Sequence, residues 1–149
     1  MLRFRCALIG VFIALATLTS AAHAQNTGVA GDWREPGGSV LRVFNCGSEV
    51  CMKVMLLRRK DPLRFDIHDP DPAKRSQPVC YMQIGYAFHP EGPDVAKDGR
   101  IYDPMSGHTY HAQMHMEGDQ LRLRGYILFP ALGRTEKWER VTDFHEQCH

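Results

Sequence analysis

The sequence predicts an all-β fold, an antiparallel up-and-down barrel of seven or eight strands. Apolar and polar residues alternate with a period of two along most of the chain, whereas the helical period is scarce. Short runs of β-branched and aromatic residues are also separated by turns that contain glycine and proline. Strands at this spacing are typical of meanders that close into barrels.

The first 24 residues of the sequence indicate a signal peptide. Arg3 and Arg5 precede an apolar run from Ala7 to Leu18, and small residues at Ala22 and Ala24 predict cleavage after Ala24. An uncleaved anchor is the alternative, but the apolar run is shorter than the roughly 20 residues of a spanning helix. We therefore expect one domain over residues 25–149, periplasmic or secreted and not membrane-spanning after cleavage. The shape of the signal looks bacterial.

The charge balance of the predicted mature chain excludes one class of partner. Removing Arg3 and Arg5 reduces the 18 basic residues by two, to 16, against 17 acidic residues, a net charge of −1. No block of basic residues stands out, so we expect no nucleic-acid partner.

The predicted strands follow one another with short turns between them. Each is rich in β-branched and aromatic residues or alternates cleanly between apolar and polar residues. The chain has seven such strands, or eight if the short first segment pairs with a neighbour. In chain order they cover Gly31 to Arg34, Ser39 to Asn45, Cys51 to Leu57, Val79 to Phe88, Arg100 to Tyr102, His108 to Met116, Gln120 to Leu128 and Arg134 to Val141.

One segment departs from this rhythm. Arg58 to Pro78 is polar and contains four prolines, which is too long and too stiff for a hairpin turn. We expect a surface excursion with a helical turn at Asp71 to Arg75, because proline suits the first position of a helical turn.

Four cysteines remain after the predicted cleavage, namely Cys46, Cys51, Cys80 and Cys148. An even number suits disulfides in an oxidising compartment, and four cysteines allow three pairings. Cys46 and Cys51 flank a predicted hairpin and could be joined across it, in which case Cys80 pairs with Cys148. A redox or metal-thiolate role is the alternative, but the C-x4-C spacing does not favour it.

The two ends of the chain carry residues that suit closure of a barrel. Gly31-Asp32-Trp33 lies near the start, and Trp138-Glu139-Arg140 lies on the predicted last strand. The first and last strands of an up-and-down barrel are neighbours, so Arg140 could lie across the indole of Trp33 and donate hydrogen bonds to nearby carbonyls. The alternative is two unrelated core tryptophans.

Nearly the whole predicted mature chain resembles a family of exported bacterial proteins that is classed as a domain of unknown function. The resemblance implies a small lipocalin-like β-barrel with a cup, and hence a small apolar or amphipathic ligand, but no established activity. This sequence departs from the family pattern at Cys80, where glycine is expected, and in lacking a tryptophan before Gly99. The pattern is carried by Gly31-x-Trp33, the hairpin from Cys46 to Cys51, Asp69-Pro-Asp-Pro-Ala-x-Arg75-Ser, Gly99-Arg-Ile-Tyr-Asp-Pro104, Gly107, Thr109-Tyr110, Leu121-x-Leu-Arg-Gly-Tyr126 and Gly133-Arg-Thr-x-x-Trp138-x-Arg140.

The ligand-binding residues are predicted from the apolar and aromatic strand positions. Aromatic rings offer an apolar body with a polar tip, and methionine adapts to ligands of loose shape. If Tyr126 faces inward, Arg124 does too and needs a carboxylate; if both face outward, Arg124 is a surface charge. A barrel filled by its own side chains, acting as an interaction module of the cell envelope, is the alternative function. The predicted lining is Tyr102, Tyr110, Met114, Arg124 and Tyr126.

The most polar stretches do not predict catalysis, a metal or a cofactor. On a strand Tyr110, Ala112, Met114 and Met116 share the inner face, which leaves His111 and His115 outside and too far apart to share a metal. The acids from Asp66 to Asp71 could bind calcium, but prolines stiffen this loop and we expect it to be solvated. Asp103 is expected to start a turn rather than to act as a base.

Overall fold

In the part of the chain that the structure describes, eight strands form one closed antiparallel barrel, in which each strand pairs with its neighbours in the sequence and the last strand pairs with the first. The computed structural model describes residues 28–58, 63–142, 144, 145 and 148; the predicted signal peptide lies outside them. The prediction of an all-β up-and-down barrel is confirmed. The strands are β1 (Gly31–Arg34), β2 (Val40–Cys46), β3 (Glu49–Leu56), β4 (Gln83–Pro90), β5 (Val95–Asp103), β6 (His108–Glu117), β7 (Gln120–Tyr126) and β8 (Arg134–Val141).

Among the described residues, two short 3-10 helices lie between strands. The first (Pro72–Lys74) begins at Asp71, whose carboxylate accepts a hydrogen bond from the Ala73 amide at 3.0 Å, where the sequence predicts a helical turn. The second (Pro130–Leu132) lies between β7 and β8. Within the described ranges, no helix is long and apolar enough to cross a membrane.

Alternation along the strands decides which side chains fill the barrel. On β6, Ala112 and Met114 are fully buried, so the inner face predicted from the sequence is confirmed. On β7, Leu121 and Leu123 join the same hydrophobic core. Their burial supplies the main stabilising free energy of such a fold.

One end of the barrel is sealed by the residues just before β1. Trp33 is 0% exposed, and its indole N–H donates to the Val29 carbonyl at 2.8 Å. The Arg140 guanidinium lies 4.1 Å from the centre of the Trp33 ring and donates to the carbonyls of Gly28 (2.6 Å) and Ala30 (3.0 Å). Burial lowers the pKa of Arg140. The arginine thus ties the first strand to the last at the closed end.

Gly31 allows this arrangement. It has φ +142°, and a Cβ at this position would lie 2.4 Å from a guanidinium nitrogen of Arg140. Any side chain here would displace the arginine, which explains the glycine of the Gly-x-Trp motif.

Strand β5 begins earlier than the sequence predicts. It starts at Val95 and contains an irregularity between Ala96 and Gly99, where Asp98 has φ +56°. Asp98-Gly99 has the composition of a turn, but here it forms a bulge within the strand. The ring of Phe88 covers Gly99 so closely that a Cβ there would lie 2.3 Å from it.

The excursion between β3 and β4 is longer than predicted, because β4 begins at Gln83 rather than at Val79. Tyr81 has φ +64°, which interrupts the strand. An isolated bridge between Phe65 and Pro78 and a hydrogen bond from the Val79 amide to the Arg64 carbonyl fold the excursion back on itself. Leu63 and Val79 are buried against the barrel.

The four cysteines form two disulfides. Cys46 is bonded to Cys51 across the β2–β3 hairpin, and Cys80 is bonded to Cys148. The second bond joins the excursion to the C-terminal tail across a sequence separation of 68.

Candidate ligand-binding cup

The end of the barrel opposite Trp33 holds a cavity of about 600 Å³. This volume lies within the range of roughly 300–1,000 Å³ usual for small-molecule sites. Its wall is mainly apolar and is formed by strand residues, by residues of the excursion between β3 and β4 and by turn residues at the mouth. The apolar lining consists of Leu41, Val54, Leu57, Leu63, Val79, Ile84, Ile101, Leu123 and Trp138, with Pro104 and Met105 on the β5–β6 turn.

Polar side chains are concentrated toward the mouth. The carboxylate of Glu35 already accepts two hydrogen bonds, from the amides of Gly37 and Ser39 in the β1–β2 turn. Asp103 likewise accepts from the Met105 amide at 3.0 Å and from the Ser106 hydroxyl at 2.7 Å. These two carboxylates stabilise turns, as the sequence predicts for Asp103.

Of the three carboxylates on the cavity wall, Glu136 accepts the fewest hydrogen bonds among the described residues. It is half-buried on β8, and one oxygen, Oε2, accepts from the Trp138 indole N–H at 3.0 Å. Among the described residues it takes part in no ion pair. Arg58 and Arg134 also border the cavity, but both are exposed at its edge. Glu136 therefore places an acceptor against an otherwise apolar wall.

A buried acid lies behind the mouth. Asp66 of the excursion is 0% exposed, and its Oδ1 accepts from the Tyr102 hydroxyl at 2.7 Å. Its Oδ2 has no hydrogen-bond partner among the described residues. Burial raises the pKa of Asp66, and the Tyr102 hydrogen bond only partly opposes this. Burial, together with the bond to Asp66, also raises the pKa of Tyr102.

The Asp66–Tyr102 contact predicts a specific pH dependence of stability. The pKa of Asp66 is raised in the folded state. Its contribution to the free energy of unfolding is therefore fully present below the ordinary carboxyl pKa of about 3.9, and it is lost as the pH rises through the pKa of the folded state. Asp66→Asn keeps an acceptor for Tyr102 and cannot ionise. Its free energy of unfolding should therefore rise relative to wild type between acid and neutral pH, by about 1.4 kcal/mol per unit of pKa shift.

Urea denaturation of both proteins across this pH range measures the difference. Groups that titrate elsewhere are common to the two proteins and cancel. A difference that does not change with pH would show that Asp66 is not ionising in a buried site.

The structure places only part of the predicted lining on the cavity wall. Tyr102 and Tyr110 border the cavity, although the Tyr102 hydroxyl is occupied by Asp66. The Tyr110 hydroxyl lies 3.5 Å from the Ser106 hydroxyl at the rim. Met114 is buried in the core and does not border the cavity.

Arg124 and Tyr126 require a correction, because both lie on the outer surface of β7. Leu123 and Gly125 border the cavity, so strand alternation directs their neighbours outward. Tyr126 is buried there by stacking on His111 at 5.4 Å between ring centres. Arg124 donates to the carbonyls of Pro130 and Ala131 and to the Thr135 hydroxyl.

The histidines of β6 lie outside the cavity. His108 and His115 are exposed, whereas His111 is half-buried between Tyr126 and a contact with the Arg100 guanidinium. In the part of the chain that the structure describes, no group of three His, Cys, Asp or Glu residues is arranged to hold a metal ion.

The sequence predicts that Asp66 lies in a solvated loop, which is wrong for this residue because it is 0% exposed, and it does not single out Glu136. Phe65 and Ile67, on either side of Asp66, are half exposed while the acid is buried, which reverses what hydrophobicity suggests. Glu136, by contrast, could have been found, because it alternates with Trp138 and Arg140 on the inward face of the last strand.

Comparison with known proteins agrees with this architecture. Residues 31–140 match a family described as an uncharacterized protein conserved in bacteria, DUF2147. The fold is similar to that of protein HP1028 from the human pathogen Helicobacter pylori, described as belonging to the lipocalin family. That match has a TM-score of 0.70 and 17% sequence identity, and covers 76% of this chain and 83% of the other. No curated protein matches the chain. Since the family covers more than half of its length, the chain belongs to DUF2147, with a lipocalin-like barrel.

Proposed function

We propose that the barrel binds a small amphipathic molecule in its cup. The observation that carries the proposal is the cavity of about 600 Å³, open at one end and lined mainly by apolar side chains. Burial of an apolar chain against such a wall is favourable, and few polar groups are needed to orient it. The lipocalin-like fold is consistent with this role.

The cavity disfavours the alternative of a filled barrel that acts only as an interaction module. A barrel of eight strands can be packed solid by its own side chains. Here the side chains that line the mouth leave a cavity of about 600 Å³ unfilled, and at the end of β7 the lining residue is a glycine, Gly125. A binding role also suits the lining better than catalysis, because the described residues of the wall include neither histidine nor cysteine.

Glu136 is the residue that would orient the ligand. One of its oxygens is held by Trp138, which leaves the other available to a donor. A ligand whose polar end carries an ammonium or a hydroxyl would satisfy this oxygen, whereas a carboxylate would be repelled. The proposed ligand is therefore an apolar chain with a hydrogen-bond-donating or cationic head.

Dodecylamine, dodecanol and dodecanoic acid test this proposal, because they share one chain length and differ in the head. We expect binding in the order amine, alcohol, acid, measured by calorimetry and by a change in the emission of Trp138 on the cavity wall. Glu136→Gln should weaken binding of the amine by roughly 10- to 100-fold, which corresponds to the loss of a charge-assisted hydrogen bond of about 1.5–3 kcal/mol.

Glu139→Gln is the matched control, since Glu139 is exposed on the same strand and should leave all three affinities unchanged. Failure of every probe to bind would contradict the cup itself. Binding that is indifferent to the head group and to Glu136→Gln would leave the cup and refute the role of Glu136.

We also propose that the protein works outside the cytoplasm, in the periplasm or the medium. Two disulfides suit an oxidising compartment. Titration of the protein purified from its own compartment should detect no free thiol.

A further inference from the structure

The connection between β7 and β8 presents four large apolar side chains to water. We call residues 127–132 the rim loop. Ile127 is 71% exposed, Leu128 73%, Phe129 64% and Leu132 80%. Single exposed apolar residues are ordinary on protein surfaces, but four within six residues mark a contact site.

The rim loop is held in this conformation by hydrogen bonds. Arg124 donates to the carbonyls of Pro130 at 2.6 Å and Ala131 at 3.2 Å, and the Leu132 amide donates to the Phe129 carbonyl at 3.0 Å. Gly133 lies so close to the strand that a Cβ there would be 2.5 Å from the Gly125 carbonyl. The backbone is thus fixed with its apolar side chains outward.

Two arginines beside the rim loop, Arg124 and Arg134, take part in no ion pair among the described residues. The hydrogen-bond acceptors found for Arg124 there are two carbonyls and the Thr135 hydroxyl. Arg134 is exposed. No acidic residue occurs from Gln120 to Thr135. The partner should therefore combine an apolar interior with a negatively charged surface.

The rim loop adjoins the mouth of the cup, because Gly125 before it and Arg134 after it both border the cavity. Met105, on the β5–β6 turn of the same mouth, is 53% exposed. A partner bound to the rim loop would therefore face the opening.

We propose that the rim loop inserts into the surface of an anionic membrane and holds the cup with its mouth toward the lipid. Each of these four side chains is at least 64% exposed, so the protein itself covers little of their apolar surface. A bilayer surface accepts separate apolar side chains, while its phosphates attract the adjacent arginines. The proposal does not depend on the cup being occupied.

Co-sedimentation of the exported chain with vesicles tests the proposal. Vesicles of phosphatidylglycerol and phosphatidylcholine in equal parts should bind the protein, vesicles of phosphatidylcholine alone should bind it weakly, and added salt should reduce binding. Changing Ile127, Leu128, Phe129 and Leu132 together to serine should weaken binding roughly 100-fold. Arg134→Gln should weaken it less.

Tyr86→Ser is the control, because Tyr86 is 40% exposed on β4 and lies outside the rim loop. All variants should keep the wild-type thermal midpoint, since the changed side chains are exposed. Phe129→Trp reports insertion directly: its emission should shift to shorter wavelength with anionic vesicles. Absence of vesicle binding, binding that survives the fourfold change, or self-association through the rim loop without vesicle binding would each overturn the proposal.

Discussion

Replacing Trp33 with alanine should lower the free energy of unfolding by about 3–5 kcal/mol, the usual cost of removing a fully buried tryptophan. The indole is 0% exposed, and it satisfies the Val29 carbonyl and supports the Arg140 guanidinium. Its loss leaves a cavity at the closed end and removes the aromatic face against which the half-buried Arg140 guanidinium packs. Urea denaturation followed by circular dichroism measures the change.

Trp33→Phe is the matched control for Trp33→Ala. It keeps an aromatic ring under Arg140 but removes the N–H donor to Val29. We expect it to destabilise the protein clearly less than Trp33→Ala, since most of the apolar contact remains. If Trp33→Ala lost only a few tenths of a kcal/mol, the closed end would not support the barrel.

Removing the disulfide between Cys80 and Cys148 should lower the free energy of unfolding by roughly 4 kcal/mol, less any strain in the native bond. The sequence separation of 68 closes a long loop, so the unfolded chain gains much freedom when the bond is absent. Cys80→Ala with Cys148→Ala is the variant to use, because it leaves no free thiol. Urea denaturation under oxidising conditions is the measurement.

Cys46→Ala with Cys51→Ala provides the comparison within the same protein. These cysteines are separated by 5 positions, so the chain-entropy estimate falls to roughly 2 kcal/mol. Equal losses for the two double variants, or a larger loss for the short loop, would contradict loop entropy as the main contribution.

The barrel was predictable because the same rule, alternation of inward and outward side chains, applies along each strand. β6 illustrates this: alternation alone places Ala112 and Met114 inside, and the structure has both buried. β5 was predicted too short: the prediction began at Arg100, whereas the strand begins at Val95 and contains a bulge at Asp98-Gly99, two residues with the composition of a turn. The ring of Phe88, a residue of β4, covers Gly99 and leaves no room for a side chain at this position.

The sequence predicted a cup, but only some of the residues that line it. Tyr110 follows the alternation of its strand and borders the cavity. Tyr126 was assigned to the cup because it is aromatic, although alternation from Leu121 and Leu123 directs it outward. Tyr126 is instead buried on the outer face of the barrel, where it stacks on His111 of the neighbouring strand, and local sequence does not reveal this contact.

The sequence by itself determined the all-β class, the order of the strands and which strand faces are apolar, because these depend on residues close together in the chain. Only the tertiary structure decided that Asp66 is buried against Tyr102, 36 residues away, and that the rim loop stands exposed beside an open cavity. Whether a side chain is buried depends on residues that are distant in sequence and close in space. The neighbours of Asp66 in sequence are apolar and exposed, so hydrophobicity along the chain does not indicate that this acid is buried.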